Sequence, residues 1–404
     1  MRILQLCKKF PFPLKDGESI AVTYLAKALN ELGCDVTLLA MNTSKHYFDA
    51  TKLPDDFNHY ESIYYTELDN RISPLAAFLN LFSSKSYHIS RFISKPFEKM
   101  LIQLLEDNEY DIIQLESLYL ASYIPVIRKY SDAKIVMRAH NVEYEIWERI
   151  ASNTSNPIKK WYLKHLASKL KTFEIENLNQ YDLLAPITER DAKIFKSLGY
   201  KNKLQVTQIG IDNRDYMADD NSFSKELSMS FIGSLDWLPN IEGLNFFLSE
   251  IWPEIHLKYP ELKFFVAGRN TPDTLKARKI PGVIFEGEVP DAKAFINKHS
   301  IMLVPILSGS GMRAKILEGM ALGKVVLTTS IGLEGIQAKH KDEVLIANTK
   351  EEFLNCIAYC YKEQNTLINI GQKAQVFISN KYDNLELSKR LLNSYKTPIL
   401  VPVS

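Results

Sequence analysis

Leu307-Ser308-Gly309-Ser310-Gly311-Met312-Arg313-Ala314-Lys315-Ile316-Leu317-Glu318-Gly319-Met320-Ala321-Leu322-Gly323 is the stretch on which the reading of this chain turns. It follows Ser300-Ile301-Met302-Leu303-Val304-Pro305-Ile306, a short apolar run rich in branched residues, which reads as a buried strand feeding a small-residue loop. The loop opens a helix. Gly309 and Gly311 let the backbone approach a ligand, and the first helical turn offers N–H groups and a partial positive charge. The pattern predicts an anion site to which Arg313 and Lys315 add formal charge. Glu318 lies about two turns into the helix, where a carboxylate accepts hydrogen bonds from sugar or ribose hydroxyls. A tight strand-to-helix turn with solvated charges fits this segment, taken alone, equally well.

Working outward, 404 residues exceed one ordinary core and predict about two domains. Lys+Arg 49 against Asp+Glu 48 gives a net charge of +1, which argues against a nucleic-acid binder that depends on a basic excess. Cys7, Cys34, Cys356 and Cys360 form neither a CxxC pair nor a dense framework, so a reduced, cytoplasmic chain is expected. Residues 1–9 hold too short an apolar run for a secretory signal, and no run reaches transmembrane length.

Residues 2–6 read as a first strand and 8–17 as a loop punctuated by proline and glycine. A helical pattern over 20–32 stops at Gly33, and 35–40 is the next strand. This βαβ unit predicts a parallel sheet, with Gly17 where such sheets meet a ligand. Residues 45–91 are less regular and rich in aromatics. Strand signals return at 110–116 and 133–139, the second delivering Arg138-Ala139-His140-Asn141-Val142-Glu143 at its end. His140 is well placed to meet a ligand there, although a lone histidine is more often structural. Residues 159–179 form a basic helix pattern carrying Lys159, Lys160, Lys164, Lys169 and Lys171. A solvated face is the plainer reading, and contact with anionic lipid the sharper one.

A polar stretch, 213–225, reads as a linker. A second α/β pattern begins at 229, with strands ending in Gly233, Gly268 and Gly287. Two doubly wound, Rossmann-like domains facing across a cleft are therefore expected: 1–212, a linker 213–228, and 229–379, with the helix at 380–396 packing back on the first domain.

With the strands placed, the chain resembles family 4 glycosyltransferases of the GT-B fold, the group 1 glycosyltransferases of bacterial polysaccharide type. The motifs that carry the likeness are Phe231-Ile232-Gly233-Ser234-Leu235-Asp236-Trp237-Leu238-Pro239-Asn240, Val266-Ala267-Gly268-Arg269, Phe285-Glu286-Gly287-Glu288-Val289 and, above all, the opening stretch continued through Lys324-Val325-Val326. The resemblance implies a retaining transferase that moves a sugar from a nucleotide diphosphate donor to a glycan or lipid-linked saccharide. Surface polysaccharide synthesis, no metal or other cofactor, and a cytoplasmic location with peripheral contact at the inner face of the membrane are implied with it. The family places two glutamates, separated by seven residues, against the sugar and the ribose; the second falls on Glu318, and Ser310 stands at the first. Many members carry an arginine and a lysine after the glycine matching Gly233; here Ser234 and Pro239-Asn240 stand there, so Arg313 and Lys315 are expected to neutralise the diphosphate.

The implied donor contacts are Gly17, Gly233, Ser234, Arg269, Ser310, Gly311, Met312, Arg313, Lys315 and Glu318, with His140, Glu318 and Arg313 at the chemistry. A nucleotide-sugar epimerase of the same fold, and a nucleotide-sugar-binding protein whose active site has decayed, are the competing readings.

Overall fold

Short runs of branched and aromatic residues that are covered on both faces belong inside parallel sheets, and the computed structural model, which describes residues 1–224, 226–309 and 311–396, places them there. Two units result: Met1–Gly210 together with the C-terminal helix Asn384–Lys396, and Ile211–Asp383. The first holds β1 (Arg2–Cys7), β2 (Asp35–Thr43), β3 (Ser62–Leu68), β4 (Ile112–Leu115), β5 (Lys134–Ala139), β6 (Leu183–Pro186) and β7 (Lys203–Leu204). The second holds β8 (Ser228–Ile232), β9 (Lys263–Ala267), β10 (Val283–Gly287), β11 (Ile301–Val304), β12 (Val325–Thr328) and β13 (Leu345–Ile346).

The strand orders are β3-β2-β1-β4-β5-β6-β7 and β10-β9-β8-β11-β12-β13, and neighbouring strands run parallel throughout. Each order reverses once, between β1 and β4 and between β8 and β11. At such a reversal the connections leave to opposite faces, so a crevice opens beyond the carboxyl ends of the two central strands. Lys8 and Glu116 flank it in the first unit; Gly233 and the 305–313 loop flank it in the second.

The central strands β4, β11 and β12 are buried at every position. The edge strand β3 has no fully buried position, and its sequence carries no continuous apolar run. The helix Asn384–Lys396 packs on Gly17–Glu31, with Asn384 Nδ2 donating to the Tyr24 carbonyl (2.6 Å) and Lys203 Nζ to the Ser394 carbonyl (3.0 Å).

The polar stretch expected to link the domains is part of the second unit instead. Tyr216, Ser222 and Phe223 are buried, and the enclosed Lys324 ammonium donates to the Asp219 carbonyl (2.5 Å) and Ser222 Oγ (3.0 Å). Polar composition misled because the polar groups here serve as partners for an internal lysine. Lys225 lies outside the described residues.

One close approach sets the second unit's rim. A Cβ on Gly243, in the helix Leu238–Phe246, would lie 1.9 Å from the Pro305 carbonyl oxygen just past β11. Gly243→Ala is expected to destabilise the fold by about 1–3 kcal/mol through overpacking, read as a lower urea midpoint; an unchanged midpoint would show that the helix moves aside freely.

Candidate functional site

In the second unit, β11 passes through Pro305 into a loop where Gly309 and Gly311 take φ of +101° and +83°, a region open to glycine at little cost. The helix Ala314–Ala321 follows. Its N-cap is Arg313, and no side chain among the described residues caps that turn, so its amides point outward at the positive end of the helix dipole. Buried Arg313 donates through Nη1 to the Gly311 carbonyl (2.6 Å) and lies over the Trp237 ring, 5.4 Å from its centroid. Met312 is buried beside it. Ser310 lies outside the described residues.

Lys315 reaches across to the end of β8. Its ammonium donates to the Ile232 carbonyl (3.1 Å) and Asn240 Oδ1 (2.8 Å), in a slot that a Cβ on Gly233 would close, since it would meet Lys315 Nζ at 2.8 Å. Burial pushes the Lys315 ammonium down to about 7, Arg313 pushes the same way, and Glu318 opposes. Glu318 lies one turn in, nearer the helix start than the sequence suggested. Its Oε1 accepts from the Tyr216 hydroxyl (2.9 Å), and the Lys293 ammonium sits 4.3 Å from the Tyr216 ring. Burial raises the Glu318 carboxyl, against that hydrogen bond and against Lys293 and Lys315.

Ser234 and Arg269 contribute backbone to this rim: the Ser234 carbonyl accepts from Asn240 Nδ2 (2.8 Å), and the Arg269 carbonyl accepts from the Leu235 N–H (2.9 Å). The Ser234 hydroxyl pairs with Asp236. Gly233, Gly311, Arg313, Lys315 and Glu318 are thus gathered at one strand-end rim. Asn240, Tyr216 and Lys293 join them unforeseen; Tyr216 is 102 residues from Glu318 in sequence, and no local pattern links the two.

The first unit's rim differs. Gly17 is not in an open glycine loop but is the first residue of Gly17–Glu31, and Asp16 caps that turn by accepting from the Ser19 N–H (3.0 Å). Lys9 holds Asp16 (2.6 Å) and Lys8 approaches Glu18 (3.4 Å), so this helix start is a closed ionic cluster. Burial opposes ionisation of Asp16, but Lys9 outweighs it and holds the carboxyl down at about 2.

His140 stands at the end of β5 with Nε2 2.9 Å from Glu116 Oε2. Glu116 is fully buried and also accepts from Gln5 (2.6 Å), with Arg138 Nη1 at 3.6 Å. Burial works against its charge, but Arg138 and then His140 hold the carboxyl below its ordinary value. The Glu116 to His140 pairing was not foreseen, although adjacent parallel strands that both end in polar residues are a signal for it. A small cavity lined by His140, Asn141, Glu143, Glu174 and Tyr181 lies behind. There the Glu174 carboxyl group caps the helix Glu143–Ser152 from a distance, its two oxygens accepting from the N–H groups of Glu143 and Tyr144 (both 3.2 Å).

Residues 226–363 match the model of the family described as glycosyl transferases group 1. Across 97 % of the chain and 98 % of its partner, the sequence is 23 % identical to an uncharacterised 44.6 kDa protein in the cps region of Klebsiella pneumoniae. Among solved structures, HepE of Anabaena in complex with UDP superposes with a TM-score of 0.67 at 15 % identity, covering 98 % of this chain and 99 % of that one. Sucrose-phosphate synthase of Thermosynechococcus elongatus gives 0.72 at 12 % identity, covering 98 % of each. At such identities the structures show a shared GT-B fold.

Glu174 predicts a pH dependence. Burial first, and then Glu143 beside it, raise its carboxyl to about 8 from the 4.5 of a free side chain. The folded chain therefore keeps a proton that the unfolded chain sheds between those values, so stability is greatest below the lower value and falls as pH rises through the window. Melting temperatures at pH 5 and pH 8 are expected to differ less in Glu174→Gln than in the parent; equal losses in both would refute the assignment.

Proposed function

From the match of residues 226–363 to the group 1 glycosyltransferase model, we infer that this chain is a glycosyltransferase, and we propose that it transfers a sugar, with retention, from a nucleotide diphosphate donor to a glycan or lipid-linked saccharide of a surface polysaccharide. The observation that carries the donor assignment is the uncapped helix start behind Gly309 and Gly311, at the strand-order reversal, with Arg313 at its N-cap, Lys315 in its first turn and Glu318 one turn further on. The UDP held by HepE and the cps-region setting of the Klebsiella relative support the donor class and the polysaccharide role.

In this reading the diphosphate lies against the amides of the Ala314–Ala321 helix. The leaving group gains negative charge as the glycosidic bond breaks, and prearranged N–H groups with a buried guanidinium stabilise it. Arg313 is fixed by Gly311 and Trp237, so it loses little freedom in meeting the phosphates. Lys315 gains a proton as the dianion arrives. Glu318 accepts the ribose hydroxyls in place of the Tyr216 hydroxyl. The departing phosphate takes the acceptor proton, so no side-chain base is needed.

The test is a panel of uridine, guanosine and cytidine diphosphate sugars with the purified chain, read as donor hydrolysis and saturable binding. Arg313→Ala is expected to cut turnover roughly a hundredfold, the scale of losing one charge-stabilising contact, whereas Glu318→Gln is expected mainly to raise the donor KM, because a ribose contact is made alike in the ground and transition states. Because Lys315 titrates at about 7, donor affinity should weaken as pH rises above that value, with proton uptake on binding; Lys315→Ala should flatten the profile. Indifference to every donor would refute the proposal, and interconversion of the donor sugar without acceptor would identify the epimerase instead.

A further inference from the structure

Of the second unit's two tryptophans, Trp252 is buried at 1 % exposure, whereas Trp237 keeps 39 % of its surface open. Its backbone is fixed all the same. As N-cap of the helix Leu238–Phe246, Trp237 donates its N–H to the Ser234 carbonyl (3.4 Å), and its own carbonyl accepts from the N–H groups of Asn240 (3.0 Å) and Ile241 (3.3 Å). The ring stands at the rim described above: the Arg313 guanidinium lies 5.4 Å from its centroid, and a Cβ on Gly309 would lie 3.7 Å from Cζ2. An indole is the largest apolar side chain, and one held in place but left partly open at the edge of a crevice offers that area to a ligand.

Two parts of a nucleotide sugar can cover an aromatic ring: the base, through its π face, and the pyranose, through the side on which its C–H bonds cluster. Position separates them. The helix amides assigned to the diphosphate begin at Ala314, and Glu318, assigned to the ribose, stands one turn further along that helix. Trp237 meets the chain before that turn, at Gly309 and Arg313. Ribose and base leave the diphosphate at one end and the transferred sugar leaves it at the other, so with the ribose at Glu318 the indole lies on the sugar's side.

We propose that Trp237 is the platform for the transferred sugar: a hexopyranose lays a face of C–H bonds on the indole, and Trp237 thereby selects among donors. This rests on the donor reading given above. The face of an aromatic ring carries the negative part of its quadrupole, to which the C–H bonds of a polyhydroxylated ring turn their positive ends. Equatorial hydroxyls point outward around the sugar's edge and keep their hydrogen bonds, so no polar group is stranded against carbon. An axial hydroxyl on the stacked side would lift the ring away and lose its own partners, and the platform therefore favours sugars whose stacked face is unbroken. A tryptophan that served only to hold Arg313 for the phosphates would favour bare nucleotide and nucleotide sugar alike, which is the distinction the test uses.

Dissociation constants of the full chain are measured by calorimetry for UDP, UDP-glucose, UDP-galactose, GDP and GDP-mannose, and the affinity of each sugar is taken relative to its bare nucleotide. Trp237→Ala is expected to lower that relative affinity about tenfold, the scale of losing the apolar area covered in a stack. Trp237→Gln, which keeps bulk without an aromatic face, should do the same, and Trp237→Phe should recover most of the loss. Binding of the bare nucleotide is the control for folding, because the diphosphate site must be intact to hold it. Equal weakening of nucleotide and nucleotide sugar in the alanine and glutamine variants would reduce the ring to a support for Arg313, and unchanged binding of both would leave it no part. Either result, or a parent that holds bare nucleotide and excludes every sugar, overturns the platform while donor-nucleotide binding stands. A parent that binds none of the five ligands overturns the donor reading and the platform with it.

Discussion

A carboxylate with no solvent exposure must be paired from all sides or it does not stay charged, and Glu116 imposes that demand on the centre of the first sheet. Gln5 on β1, Gln114 on β4 and Arg138 on β5 all turn toward it, as does His140 beyond β5. Gln5 and Gln114 are register partners, so the network works only with the strands paired as they are. Its outer members extend the constraint. Tyr60 donates to Gln5 Oε1 (2.9 Å), Tyr395 donates to Gln114, and Arg138 Nη1 donates to the Ala21 carbonyl (2.9 Å). The C-terminal helix, returning after the whole second unit, and the helix Gly17–Glu31 are thereby fixed to the same buried charge. Removing one member of such a set leaves the rest unpaired, at a cost of about 3–5 kcal/mol.

The second unit is arranged by a different means. Its rim depends on missing Cβ atoms: Gly243 lets a helix backbone meet Pro305, and Gly233 leaves the slot that Lys315 fills. The contrast extends to the helix starts. In the first unit Asp16 caps the turn after β1 and Lys9 neutralises Asp16; in the second the turn after β11 is led by an arginine. A phosphate is repelled by the first arrangement and attracted by the second.

This asymmetry explains which parts of the fold were legible in the sequence. Strands covered on both faces, such as 301–304 and 325–328, are continuous apolar runs, and glycines at their tips mark where the backbone must come close; both signals are local. β3 escapes that signal because no position of this edge strand is fully buried, so Ser62–Leu68 carries no continuous apolar run. The 213–225 stretch was misjudged because its polar groups are partners for Lys324, a pairing across about a hundred residues. His140 was recognisable from its place at a strand end, but its partner Glu116 came from a neighbouring strand, and strand order is not written in either segment alone.

Lys315 and Glu318 show how a site can be held ready. Burial drives both toward their neutral forms, Lys315 downward and Glu318 upward. Each is nonetheless oriented by an internal group: a carbonyl and an amide oxygen for the ammonium, a hydroxyl for the carboxylate. Under the proposed donor binding, phosphate oxygens would be stronger partners for the cation than a carbonyl and an amide oxygen, and ribose hydroxyls would take the place of the tyrosine hydroxyl on the carboxylate. In that reading the exchange keeps each side chain in its geometry, and the arriving dianion restores the charge of Lys315. The gain is electrostatic and comes with little reorganisation, which is the condition under which a fixed cation stabilises a leaving group best.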